Sequence, residues 1–271
     1  MSRATGLEHL TDALPDWRDA AAYEALENIA PGLLAWEWLR RRYDYRLAAA
    51  AAPPVGNGAH AVMLGGDPAA HRWNLHRFEN PKLSCREARP VWRGLGSTRV
   101  TVAEAEVSVS DGTEFDLTRV LPLATLVLER EFQRLLLSDG RSFLRIDVSG
   151  AALPDGPVQL HYRFSGLSSA KTSARLAASL QSLMLTGRLP EPPRRPLIKS
   201  RRRILLLRTR DALEAGASQR EIAAELMRKG NLGPSWRQDD PSLRSQVQRL
   251  VRGARHLVHE ELWDLVRQQL R

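Results

Sequence analysis

Cysteine, long apolar runs and signal-like segments are scarce or missing in this 271-residue chain. Cys85 is the only cysteine, so no intramolecular disulfide can form, which agrees with a reducing compartment. No run reaches the roughly 18 apolar residues that a membrane-spanning helix needs. The first thirty residues also lack the continuous apolar stretch of a signal peptide. These absences predict a cytoplasmic protein that is not embedded in a membrane.

Charge is distributed unevenly along the chain. The formal net charge is +9 and the sequence pI is about 10.5. Residues 188–271 contain 19 Lys and Arg against 10 Asp and Glu, whereas residues 1–187 contain 21 of each kind. All of the excess positive charge therefore lies in the last third. A basic domain joined to a neutral body is typical of a protein that binds the phosphate backbone of nucleic acid.

Residue patterns divide the chain into three regions. We predict an α+β protein with a small N-terminal helical domain over residues 1–58, a central antiparallel β-rich unit over residues 59–166 and a C-terminal variant helix-turn-helix bundle over residues 167–271. The double proline and the glycines near residue 56 mark the end of the first region. A change from alternating to helical periodicity marks the end of the second.

The first region contains two helical signals. Asp16 and Asp19 are candidate caps for a helix that begins near Ala20. The apolar spacing of the following segment predicts one helix over residues 33–51, with its tryptophans and Tyr45 in the core or on a protein-protein surface. Arg40–Arg42 then lie on the opposite side. We expect them to form a solvated basic face, and DNA contact is the alternative.

Alternating apolar residues predict strands in the second region. Residues 126–137 and 142–148 are joined by the turn Ser138-Asp139-Gly140-Arg141, whose Asp-Gly pair suits a β-hairpin. Residues 99–110 and 158–164 alternate in the same way. We expect all of these segments to pair in one sheet.

The third region contains the most informative pattern. Helices are predicted over residues 204–215, 218–227, 242–256 and 260–270. A proline-rich basic segment over residues 190–203 precedes these helices. It is either a solvated linker or an arm that contacts DNA, and the sequence favours neither role over the other. The connector over residues 228–241 is longer than the usual turn between two DNA-binding helices. Trp236 is expected to anchor this connector in the core.

The helix over residues 242–256 has one apolar face and one basic, polar face. Leu243, Val247, Leu250, Val251 and Ala254 recur at spacings of three and four, which places them in the core. Side chains on the other face suit phosphates and base edges, although a solvated basic face is the alternative interpretation. The candidate DNA-binding residues are Gln219, Arg220, Ser242, Arg244, Ser245, Gln246, Gln248, Arg249 and Arg252.

Position along the helices predicts a different role for each candidate. The start of the last of these helices, residues 242–246, is expected to contact bases, because a helix start enters the groove and also favours phosphate. Arg249 and Arg252 are expected to meet the DNA backbone. Gln219 and Arg220, which begin the preceding helix, are expected to make further phosphate contacts.

Signals for catalysis, metals and cofactors are weak. His256 and Glu260 lie four residues apart, but no third metal ligand has a matching spacing. Cys85 has no base near it in sequence. We therefore predict that the protein is not an enzyme and that it uses no cofactor and no metal.

Two blocks of residues resemble known families. Pro15 to Tyr23 and the Trp-Glu-Trp-Leu-Arg-Arg core at residues 36–41 resemble the transcriptional-regulator-like domain DUF6499. The chain from about Trp73 to its end resembles the DUF2285 family. That match depends on the strand ending at Tyr162-Arg163-Phe164, the block from Gly216 to Ala223, Trp236 and the block from Leu243 to Leu250.

Proteins that join both domains are similar to activators of excision and transfer of proteobacterial integrative and conjugative elements. The resemblance implies a variant helix-turn-helix that binds double-stranded DNA and switches on transcription. The neutral N-terminal and β-rich regions are expected to offer surfaces to a protein partner, such as an antiactivator or RNA polymerase. The alternative is an antiactivator-like interaction module that binds another regulator without touching DNA. The oligomeric state is left open.

Overall fold

The computed structural model describes residues 14–52, 62–94, 100–108, 114–163, 166–191, 197–227, 230 and 232–256. These residues form two compact units. A helical unit contains residues 14–29 and the described residues from 197 to 256, and a sheet unit contains the described residues from 30 to 191. The first predicted region therefore contributes to both units. The predicted α+β fold class is confirmed.

Eight α-helices lie in the described residues. They are α1 (Ala20–Glu24), α2 (Pro31–Leu39), α3 (Tyr43–Ala50), α4 (Gly166–Thr186), α5 (Leu197–Glu214), α6 (Gln219–Leu226), α7 (Trp236–Asp239) and α8 (Pro241–His256). Short 3-10 helices occupy Pro68–Trp73, Leu117–Leu123 and Leu153–Asp155. None of the described helices is long and apolar enough to cross a membrane.

Six strands among the described residues form one mixed sheet. They are β1 (Val62–Gly65), β2 (Val100–Val107), β3 (Ala124–Leu128), β4 (Gln133–Ser138), β5 (Phe143–Gly150) and β6 (Val158–Arg163), in the spatial order β1-β3-β4-β5-β2-β6. Consecutive strands β3, β4 and β5 are antiparallel, as is the pair of β2 and β6. The pairs of β1 with β3 and of β2 with β5 are parallel, so the predicted antiparallel unit is mostly but not wholly antiparallel.

The predicted hairpin is present, but its first arm contains two strands. Residues 126–137 divide between β3 and β4, which pair through a short turn over residues 129–132. The Asp139-Gly140 turn then joins β4 to β5, as expected, with Ser138 opposite Phe143. Alternate residues of β2 are buried against the core, and α4 packs on this sheet with Leu180 and Leu183 buried.

The N-terminal helix begins as predicted. Asp19 caps α1, because its side chain accepts hydrogen bonds from the backbone N–H groups of Ala21 and Ala22. The single helix predicted over residues 33–51 is wrong, since the chain breaks between α2 and α3. Nine residues of continuous helix would separate Trp36 from Tyr45 by about 13.5 Å along the axis. The break instead brings their rings edge to face at 5.7 Å.

The expected solvated face at Arg40–Arg42 is also wrong. Arg40 and Arg41 are buried, and both guanidinium groups pair with the buried carboxylate of Glu37. Burial by itself raises the pKa of Glu37, but the charges of Arg41 and Arg40 outweigh it and hold that pKa at about 2. The Trp-Glu-Trp-Leu-Arg-Arg segment is thus part of the interior of the sheet unit and offers no surface to DNA.

Candidate nucleic-acid interface

The core face of α8 is the one that the spacing predicts. Leu243, Val247, Leu250, Val251 and Ala254 are all buried. α8 packs closely on α5 at Gly253: a Cβ added to this glycine would lie only 2.9 Å from Leu206 Cδ2. The helix is therefore fixed in rotation, and its polar side faces solvent in the helical unit.

The opposite face of α8 is basic and exposed. The outward side chains of Ser242, Arg244, Ser245, Gln246, Gln248, Arg249 and Arg252 are exposed, and so is that of Arg255. The helix contains four arginines and no acidic residue between Pro241 and His256. An exposed surface of this composition attracts phosphate and offers donors to base edges.

The start of α8 differs from the expected phosphate site. The Asp240 carboxylate accepts a hydrogen bond from the Leu243 backbone N–H at 2.8 Å, so it caps the helix. A carboxylate at this end opposes a DNA phosphate there. Ser242 and Ser245 lie in the first turns of α8 and are exposed, and the Ser245 hydroxyl donates to the Pro241 carbonyl oxygen at 3.0 Å.

A capping box fixes the start of α6. The Ser218 side chain accepts from the Glu221 backbone N–H, and the Glu221 carboxylate accepts from the Ser218 backbone N–H at 2.8 Å. Ile222 and Ala223 are buried behind this turn. Gln219 is half-buried and Arg220 is exposed, so both predicted residues occupy the first turn of a well-defined helix.

The long connector contains a short helix that the sequence pattern did not indicate. Trp236 begins α7 and is buried, which confirms the predicted anchor. The next residue, Arg237, is exposed, and its Nη2 donates to Gln219 Oε1 at 3.2 Å. Sequence reasoning missed Arg237, because only its place after an anchored tryptophan distinguishes it from other loop arginines.

A cleft of about 400 Å³ lies between the start of α6 and α8. Its lining residues are Gln219, Gln248, Val251, Arg252 and Arg255. Three of the predicted DNA-binding residues therefore meet at one place in the helical unit. The other six predicted residues are not among those that line the cleft.

Two family models match parts of the chain. Residues 166–267 match a model described as a T6SS transcription factor DNA-binding domain, and residues 16–76 match a proteobacterial transcriptional regulator-like domain. These matches indicate a DNA-binding transcriptional regulator. No curated protein and no solved structure matches the chain significantly.

The first match contains the basic face of α8, and it also contains a helix of the sheet unit, since it covers the whole of α4, α5, α6, α7 and α8. The second match spans both compact units, because residues 16–29 lie in the helical unit and α2 begins the sheet unit. The regulator's DNA-binding domain is thus completed by a segment from the other end of the chain.

Several hydrogen bonds attach that N-terminal segment to α5 and α6. The Tyr23 hydroxyl donates to Asp211 Oδ2 at 2.6 Å in the interior. The Arg208 guanidinium donates to the carbonyls of Trp17 at 2.5 Å and Arg18 at 2.8 Å. Arg18 also pairs with Glu221 at 3.4 Å. The segment therefore helps to hold α5 and the first turn of α6 in place.

The basic segment before the DNA-binding helices is only partly a linker. Residues 194 and 195 lie outside the described residues, whereas Lys199 and Arg201–Arg203 belong to α5. The linker or arm predicted over residues 190–203 is wrong for this part, because buried Ile204 and Leu207 continue the same helix into the core. The helix predicted over residues 260–270 also lies outside the described residues.

The sheet unit of the regulator contains a second polar cluster. The Glu129 carboxylate hydrogen-bonds to the His76 ring at 2.5 Å, and Arg145 binds Asp147 Oδ1 at 2.7 Å. Burial, and then the charge of Arg145, lower the pKa of His76 to about 4, so the ring is neutral at pH 7. The cluster is an interior network in which each charge has a partner.

No metal centre emerges from the residues that the structure describes, since they contain no group of three or more His, Cys, Asp or Glu suited to a metal. Cys85 is buried, and burial followed by the charge of Glu37 raises the pKa of its thiol far above the usual range. Such a thiol is a poor nucleophile.

Proposed function

We propose that the protein is a sequence-specific transcriptional activator that binds double-stranded DNA through α8. The observation that carries this proposal is the exposed, acid-free face of α8, with four arginines, inside the segment matched by a DNA-binding domain model. In the proposal, α5, α6 and α8 act as a variant helix-turn-helix, and α7 replaces the usual tight turn. The described residues of α8 are fixed by the core, which supports a rigid contact surface.

The residues of this face divide into two roles in the proposal. Arginine side chains attract the phosphate backbone, which makes affinity fall steeply as salt rises. The stretch 242–249 contains the side chains that select the base sequence, and each good base contact contributes about 1–3 kcal/mol of discrimination. The cap at Asp240 supports this division, because it disfavours phosphate at the start of the helix.

The genes that we propose as targets control excision or transfer of a mobile element. Support for this comes from the resemblance of both ends of the chain to activators of integrative and conjugative elements. The proposal assigns the protein to the cytoplasm and gives it no catalytic step. A partner such as an antiactivator or RNA polymerase is also proposed. Tyr43 and Leu47, which are 54% and 50% exposed one turn apart on α3, support a protein contact.

We expect Arg244→Ala and Arg249→Ala each to weaken binding to promoter DNA from the protein's own genomic neighbourhood by about tenfold or more. Both side chains project from the exposed face, so their removal takes away contacts without disturbing the core. Mobility shift with purified full-length protein measures the effect. Arg130→Ala in the turn between β3 and β4 is the matched control, because that arginine is exposed and lies outside both matched segments.

Unchanged binding by both α8 variants would contradict the assignment of this face. Absence of salt-sensitive binding by the wild-type protein, together with capture of another regulator without DNA, would favour the antiactivator-like interaction module instead.

A further inference from the structure

The residues of the cleft between α6 and α8 are arranged to bind one particular group, in addition to their general attraction for DNA. Resting on the proposed function, we propose that this cleft binds a phosphodiester of the DNA backbone. Arg252 and Arg255 are its phosphate contacts, and Arg237 is a positioning residue that orients Gln219 beside them. Arg237 was not among the residues that the sequence indicated for DNA binding.

The chemistry of the cleft matches a singly charged anion. Its described lining contains two guanidinium groups, the primary amides of Gln219 and Gln248, and the apolar side chain of Val251, with no carboxylate. Arg252 and Arg255 are three residues apart, so they lie on the same side of α8. Guanidinium groups present planar pairs of donors that fit phosphate oxygens, and amide N–H groups add further donors.

The position of the cleft favours the DNA backbone over a base. Val251 belongs to the buried face of α8, so the cleft lies at the border between the core and the outward face. Arg252 and Arg255 also come from the last two turns of the helix, far from its start. When the start of a helix enters the major groove, residues at its border and toward its end meet the flanking strand.

The connector between α6 and α8 takes part through Arg237. Arg237 Nη2 donates to Gln219 Oε1 at 3.2 Å, which engages the carbonyl end of that amide. The Nε2 amino group of Gln219 is then the end that can donate to an anion. The Arg237 guanidinium also lies 5.6 Å from the ring centroid of the buried Trp236, so the anchored tryptophan holds the arginine in place.

Salt dependence of binding tests the two phosphate contacts, because it counts phosphates neutralised whatever the base sequence. Full-length protein is titrated onto a short fluorescein-labelled duplex of mixed sequence at several potassium chloride concentrations. The slope of log K against log[salt] is negative, and we expect it to become less steep by about two in the double variant Arg252→Gln/Arg255→Gln. Arg130→Gln, which removes the same kind of charge from the turn between β3 and β4, should leave the slope unchanged.

A double-mutant cycle tests the positioning role. We expect Arg237→Ala to weaken duplex binding by several-fold in the wild-type background and to have little further effect beside Gln219→Ala. A purely local structural role or an independent charge contact gives the same loss in both backgrounds. That result would overturn the role assigned to Arg237.

Three further outcomes separate the proposal from its alternatives. If the wild type binds the duplex with a clear salt dependence and the Arg252/Arg255 double variant shows the same slope, the phosphate site is overturned but DNA binding is not. Calorimetric binding of inorganic phosphate to the wild type, lost in the double variant, would identify a small free anion as the occupant and overturn the backbone assignment. A wild-type protein with no salt-dependent duplex binding would instead overturn the proposed function itself.

Discussion

Replacing Glu37 with glutamine is expected to lower the free energy of unfolding of the sheet unit by about 3–5 kcal/mol. Glu37 is 2% exposed, and its Oε2 accepts from Arg40 Nε at 2.7 Å and also pairs with Arg41. Its Oε1 accepts from the backbone N–H of Cys85 at 2.6 Å. Glutamine keeps the shape but removes the charge, so two buried guanidinium groups lose their counter-ion. Chemical denaturation followed by tryptophan fluorescence measures the change.

The same carboxylate makes stability depend on pH. Its pKa is held at about 2 in the folded protein, against 4.5 for an ordinary glutamate. Its contribution is therefore complete above about pH 4.5 and is lost as the pH falls toward 2. Glu131→Gln is the matched control, because that side chain is exposed. A Glu37→Gln variant as stable as this control would show that the buried triad does not stabilise the fold.

Gly140→Ala is expected to cost about 3 kcal/mol or more, or to prevent the sheet unit from folding. Gly140 has a φ of +80°, and a Cβ there would lie 2.4 Å from the Arg86 carbonyl oxygen and 2.6 Å from Arg86 Cα. Neither atom belongs to a side chain that can rotate away. The turn between β4 and β5 must therefore move, and Asp139, which accepts hydrogen bonds from the N–H groups of Arg141 and Ser142, moves with it.

Gly187→Ala separates the steric clash with Arg86 from the cost of placing a non-glycine residue at positive φ. Gly187 also has a positive φ, +69°, but a Cβ added there would have no neighbouring atom within 4 Å. Its alanine variant should lose only about 1 kcal/mol, the usual cost of a left-handed non-glycine residue. Thermal unfolding of both variants gives the comparison, and equal losses would refute the close approach of Arg86 to the turn.

The periodic parts of the chain were predictable and the non-local parts were not. Alternation located β2, β5 and β6, but it merged β3 with β4 and did not locate β1. Spacings of three and four located the buried face of α8, because that pattern depends on residues only a few positions apart. The parallel pairing of β2 with β5 depends on a crossover that no local pattern specifies. The contact of Tyr23 with Asp211 joins residues 188 positions apart, so sequence spacing offered no signal for it.

The arginines of the chain show that local sequence patterns also fail to separate buried side chains from those of the candidate interface. Arg40 and Arg41 have the composition of a surface patch, and only the buried carboxylate of Glu37 explains why they lie inside. Arg249 has the same side chain on the exposed face of a helix whose other face is visibly apolar. Spacing placed Arg249 on the surface because the buried residues of the same helix recur every three or four positions. It could not identify Arg237, whose role depends on a contact across the connector.

Directed cleavage of DNA tests the central claim that α8 lies against the duplex. Cys85 is the only cysteine and is buried, so Ser245→Cys gives the full-length protein one reactive thiol on the exposed face of α8 for an iron chelate. Glu131→Cys, at an exposed position outside both matched segments, is the control. The account predicts strong cutting within a few base pairs of the bound site from position 245 and weak, diffuse cutting from position 131. Cutting from position 245 no stronger than from the control would contradict it.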